Sequence, residues 1–134
     1  NVYLGRLSPD WPERLSDRSK PLRDRLLAFY NEYSALIFQY EWMRIFMFSG
    51  LAGAELNRRY LEHLGGVILR PLLAEIAETA TRGPEPSMED IWNLHGGIVY
   101  IGIRQHIYHM PCPDDPSDEI ERAVDRFLNG FGIE

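Results

Sequence analysis

Four side chains in the C-terminal half of the sequence have metal-ligating chemistry: His95, His106, His109 and Cys112. On a helix, His95 and His106 share a face but stand three turns apart, about 16 Å by helix rise. They cannot hold one ion together. His106, His109 and Cys112 are close in sequence, yet Pro111 and Pro113 break a helix just where the thiol would have to return. No Glu-x-x-His pattern of a di-metal bundle is present. The spacing therefore predicts no metal and no cofactor, and His63 and His95 read as pocket or core histidines. Catalytic signatures are missing as well: there is no Gly-x-Ser-x-Gly, no phosphate-binding Walker loop and no His-Glu-x-x-His. Cys112 sits between two prolines, with nothing in the sequence that guarantees it a basic partner. The sequence offers no argument for an enzyme. A free-standing helical-bundle enzyme or metal- or cofactor-binding protein is the competing reading.

Aromatic side chains supply the other candidate chemistry. Phe38, Tyr40, Trp42, Phe46, Phe48 and Tyr60 fall close together. Core packing accounts for most of them, but Trp and Tyr carry polar tips that need partners when buried. Such a set suits a mainly apolar cavity with a few polar contacts. The expected pocket is lined by Phe38, Trp42, Phe46, Tyr60, Leu64, His95 and Val99. Its ligand would be small and mostly apolar, with Tyr60 or His95 giving a polar contact.

The elements that must position these residues are helices. Residues 1–20 carry Gly5, Pro9, Trp11 and Pro12 without a sustained period and read as an irregular lead-in. Ser19 can cap the following segment and Pro21 suits a first helical turn. Leu22, Leu26, Phe29, Tyr30, Tyr33, Ile37 and Tyr40 then recur at helical spacing. Residues 41–51 continue that helix or form a second one, ended by Gly50 and Gly53. Leu56, Tyr60, Leu64, Ile68, Leu72 and Ile76 recur every four residues, and Pro71 should kink this helix rather than end it. After a loop at 82–86, Ser87 with Asp90 resembles a capping box opening a helix from Met88 to about Met110. Asp115 and Pro116 open a last helix whose apolar stripe is Ile120, Val124, Phe127, Leu128 and Phe131. The fold class is all-α, an antiparallel helical bundle, with residues 21–134 as one domain.

Bulk properties agree with a globular protein. The 134 residues suffice for one domain, and the 45% hydrophobic and 25% charged contents are ordinary. A net charge of −6 argues against a nucleic-acid surface, which needs clustered positive charge. With Cys112 the only cysteine, no intrachain disulfide can form, as suits a reducing cytoplasm. The longest uncharged run, Ile91 to Ile103, is shorter than the roughly 20 residues of a membrane-spanning helix. The start at Asn1 reads as a fragment, or as a protein whose first part is not included.

The helix from Ser87 to Met110 has an apolar arc much wider than the roughly 100° needed to cover one core. Only Asn93, Gly97, Tyr100 and Arg104 interrupt it. Such a helix is central in its own domain or shared with a partner, and in so short a chain the partner is favoured. Gly96, Gly97 and Gly102 each cost about 1 kcal/mol against Ala inside a helix, and close helix–helix approach is the usual reason. Gly65 and Gly66 pose the same question in the preceding helix, with space for a ligand or a local bend as alternatives. The expectation is a homodimer through the last two long helices, a two-fold four-helix bundle. Its contacts would be Gly97, Ile101, Tyr108, Val124 and Leu128.

The stretch Trp42-Met43-Arg44-Ile45-Phe46-Met47-Phe48-Ser49-Gly50-Leu51, followed by Asn57-Arg58-Arg59-Tyr60-Leu61, resembles the C-terminal domain of certain TetR-family transcription regulators. Similar segments there read Trp-x-Arg-hydrophobic-Phe, a Gly-containing turn, then Asn-Arg-Arg-Tyr opening a long helix. The resemblance runs from about Pro21 to Phe131. It implies an effector-binding and dimerisation domain in a cytoplasmic regulator. A small molecule between the core helices would shift the separation of two DNA-binding heads. Those heads are helix-turn-helix units ahead of this segment, so DNA would be met only through them, with no membrane involved.

Overall fold

The computed structural model describes residues 7–134. The expected irregular character of Asn1 to Arg6 lies outside the described residues. Among the described residues, seven α-helices follow one another: α1 (Trp11–Leu15), α2 (Leu22–Ile37), α3 (Tyr40–Leu51), α4 (Glu55–Leu64), α5 (Arg70–Thr79), α6 (Met88–His106) and α7 (Ser117–Gly130). A π-helical turn, Gly65–Leu69, joins α4 to α5 without a break. No strand occurs among the described residues, so the all-α expectation holds.

The lead-in is less irregular than its sequence. Trp11 and Leu15 are one turn apart on α1 and both are buried. The Trp11 ring meets Phe29 edge-on at 5.2 Å and Tyr33 at 5.8 Å. The segment from residue 11 onward is thus part of the bundle, and the division expected at residue 20 falls too late. A five-residue helix is too short to show a period, which is why it escaped notice. Ser19 does not cap α2. It donates from its backbone N–H and its hydroxyl to the Asp17 carboxylate instead.

Arginine pairs tie this layer down. Arg25 is almost fully buried and donates to Glu75 at 2.7 Å and to the Leu15 carbonyl at 2.8 Å. Arg18 also reaches Glu75, at 2.7 Å. Arg23 bridges α2 to α7 through Asp125 at 2.6 Å and Glu121 at 2.8 Å.

The stripe from Tyr60 to Ile76 is buried throughout. A strict four-residue repeat drifts by about 40° per step on a regular α-helix. The wider π turn takes up part of this drift and keeps Leu64, Ile68 and Leu72 facing inward. It ends just before Pro71, whose missing N–H and bulky ring disrupt regular helical bonding to the preceding turn. The expected kink is therefore a π turn.

The Ser87 backbone N–H donates to the Asp90 carboxylate at 2.9 Å, as in a capping box. The helix stops at His106, earlier than Met110. Pro111 disfavours helical backbone in the residue before it, and His109 has already turned left-handed at φ 57°. Asp115 accepts the Ser117 N–H at 3.0 Å at the start of α7. The core gathers α1, α2, α5, α6 and α7 with the inner faces of α3 and α4. No helix among the described residues is long and apolar enough to cross a membrane.

Candidate functional site

The seven residues expected to line one pocket are brought near each other, but mostly as packed core. Trp42 and Phe46 stack at 5.1 Å with planes 9° apart, and Tyr60 meets both rings edge-on at 5.9 and 5.2 Å. Leu64 is fully buried beneath them. The Tyr60 hydroxyl shares a 2.7 Å hydrogen bond with that of Tyr33, so its polar tip is already engaged. Burial pushes the Tyr60 hydroxyl pKa up to about 12, and burial also raises those of Tyr30 and Tyr33. Val99 is half-buried against the same core. Phe38 turns away, against Gly102, and also edges a separate shallow concavity with Ser34 and His106.

His95 is the pocket residue with the most distinctive surroundings. It is buried on α6, its Nδ1 lies 3.2 Å from the Tyr30 hydroxyl, and its ring lies 5.2 Å from that of Tyr33. Burial lowers its pKa to about 4, so the ring is neutral at physiological pH. Its other flank meets Trp92 edge-on at 5.8 Å.

Trp92 leads out to a feature that the aromatic pattern did not indicate. A groove of about 970 Å³ opens between the end of α3, α4, the π turn and the start of α6. Gly50, Gly53, Gly65 and Gly66 line it with Asn57, Leu61 and Trp92, and Arg58, Glu62 and Arg70 stand around it. None of the seven expected pocket residues lines this groove. A side chain at Gly65 would approach the Trp92 ring at 3.4 Å, and one at Gly66 would project into open space. Gly53 takes φ 78° in the turn after α3. Gly65 and Gly66 thus lie where the π turn runs beside the groove. Arg58 is held by Glu55 at 2.5 Å and Glu62 at 3.1 Å.

Asn57 is buried in the groove wall. Its Nδ2 donates to the Phe46 carbonyl at 2.6 Å, which fixes which way the amide faces. Its Oδ1 has no hydrogen-bond partner among the described residues. A spatial signal of this kind has no counterpart in sequence spacing.

The five expected dimer contacts divide. Gly97 lies on the exposed side of α6, with nothing within 4 Å of where a side chain would begin, and Tyr108 is exposed in the bend after the helix. Ile101 is buried at the edge of that side. Val124 and Leu128 are corrected: both are sealed in the chain's own core and offer no surface to a second copy. The wide apolar arc of α6 is likewise covered from within, by α2, α3, α5 and α7. Gly102 provides close approach inside the chain, because a side chain there would meet Phe38 at 2.7 Å and Met43 at 2.8 Å. The solvent-facing strip that remains on α6 includes Asn93, Gly96, Gly97 and Tyr100, with Arg104 over the Tyr100 ring at 5.3 Å, and the exposed Tyr108 lies just beyond the helix end. On α3, Ile45, Phe48 and Leu51 are exposed by 57%, 75% and 86%, an apolar strip that takes Phe48 out of the packed aromatic cluster.

No group of three metal-ligating side chains comes together among the described residues. Cys112 faces the Ile101 carbonyl at 3.8 Å. Compared with known proteins, the chain matches no family model, no curated protein and no solved structure.

Proposed function

We propose that this chain is the effector-sensing and dimerisation part of a TetR-like transcription regulator, with DNA bound through an upstream helix-turn-helix head. The observation that carries the reading is the connected path from the groove to α2. A ligand resting on Trp92 is one ring contact from His95, and His95 is hydrogen-bonded to Tyr30 of α2. As the first long helix of the bundle, α2 is the element best placed to pass a displacement toward an upstream head. Binding would shift the balance between two states to the extent that the ligand prefers one of them. The acidic balance of the chain leaves DNA contact to the head.

A second copy would pack on the outer strip of α6, where Gly96 and Gly97 allow backbones to approach. The partner surface would thus lie on α6, without the expected contribution of Val124 and Leu128 from α7. Light scattering on the chain at micromolar concentration should give the mass of a dimer. The full-length gene product should retard DNA taken from the region flanking its own gene. A monomer mass together with no DNA retention would overturn the proposal.

A further inference from the structure

The groove beside the π turn has a definite chemical character, and this inference rests on reading it as the effector site. Its wall includes the indole of Trp92, next to two glycines that leave the backbone bare. About 970 Å³ of space leaves room for a small ring system. Among the described residues, the buried polar atom of the wall without a hydrogen-bond partner is the Asn57 Oδ1. Orientation of that amide is set by the bond from Nδ2 to the Phe46 carbonyl, so the free position is an acceptor and not a donor. The Nδ2 of that amide lies 3.2 Å from where a side chain at Gly50 would begin, and Gly50 lines the groove. The Oδ1 itself is buried, so a ligand donor reaches it by displacing the wall that covers it. An unsatisfied buried acceptor is costly, and a ligand that supplies a donor recovers that cost.

We infer that the groove takes a planar aromatic small molecule bearing an N–H or O–H group, with the ring on Trp92 and the donor directed to the Asn57 Oδ1. The ring system contributes buried area, and the donor contributes selectivity against analogues in which it is blocked.

Two probes test this on the whole chain: 2-naphthol, and 2-methoxynaphthalene, which has the same ring but no donor. Calorimetry gives affinity, and nitrogen–proton NMR follows the Trp92 indole and the Asn57 side-chain amide. The expected result is that 2-naphthol binds about ten-fold or more tightly than its methyl ether, as an unmet acceptor implies. Both amide signals should move. Gly66→Leu, which fills open space at an exposed helical position and leaves the core intact, should abolish binding of both probes. Equal affinity for the two would overturn the donor assignment while leaving the groove as the site. Binding that Gly66→Leu leaves unchanged, or no saturable binding of either probe, would overturn the groove itself and with it the effector-site reading.

Discussion

Protonating His95 should loosen the bundle, by an amount that can be worked from its surroundings. The ring is buried between Tyr30, Tyr33 and Trp92, with neutral hydroxyls and rings and no carboxylate described against it. Its pKa falls from the usual 6.5 to about 4 in the fold because burial penalises the charged form. Above pH 6.5 the imidazole is neutral whether the chain is folded or not, and no stability is lost. As the pH falls from 6.5 towards 4 the unfolded chain takes up the proton first, so the folded state loses ground. The loss levels off below pH 4. The difference between the two values corresponds to about 3 kcal/mol. Urea melts followed by far-ultraviolet circular dichroism at pH 7 and pH 4 measure it, with His95→Gln as the reference. Carboxylates such as Glu75 and Asp125, whose pKa values are lowered by Arg18 and Arg23, also weaken the fold in acid. They do so equally in both proteins and cancel in the comparison. The native chain should lose about 3 kcal/mol more than the variant between the two pH values. Parallel losses would show that His95 is not held neutral, and the account of its burial would be wrong.

Other perturbations follow from the same packing. Leu64→Ala empties a fully buried position and should cost about 2–5 kcal/mol in denaturant melts. Glu75→Gln should cost about 3 kcal/mol, because it leaves Arg25 buried without its counter-charge. Gly102→Ala drives a methyl into Phe38 and Met43 and should destabilise by about 1–3 kcal/mol. Gly97→Ala meets no neighbour within the chain. It should raise the helix stability of the monomer by up to about 1 kcal/mol while weakening self-association, read as a drop in sedimentation mass on dilution. A gain in stability with undiminished association would remove Gly97 from the seam.

Much of the architecture was legible because apolar periodicity and helix punctuation act locally. The stripe from Tyr60 to Ile76, the Ser87–Asp90 start of α6 and the Asp115–Ser117 turn that leads into α7 are each fixed by residues within a few positions of one another. The strict four-residue spacing even carried the trace of the π turn, since a regular helix would have let the stripe wander. What escaped was decided at long range. Trp11 and Leu15 form part of the core because Phe29 and Tyr33 are there to receive them. The width of the α6 arc could not say whether its own chain or a second one covers it, and α7 turned out to spend Val124 and Leu128 on α2 and α6. The aromatic cluster was recognisable as a group. Whether its rings would surround a space or fill it depended on the stacking of Trp42 on Phe46. The groove was foreshadowed only by the pair Gly65 and Gly66, and its unsatisfied acceptor exists only once Phe46 has claimed the other end of Asn57.

Footprinting of the full-length gene product on DNA flanking its gene, with and without 2-naphthol, tests the central claim most directly. The account predicts a two-fold symmetric protected site whose occupancy changes when the compound is added. It also predicts that Gly66→Leu protein protects the same site with no response to the compound. Absence of any protected site would contradict the reading of this chain as the sensing part of a DNA-binding regulator.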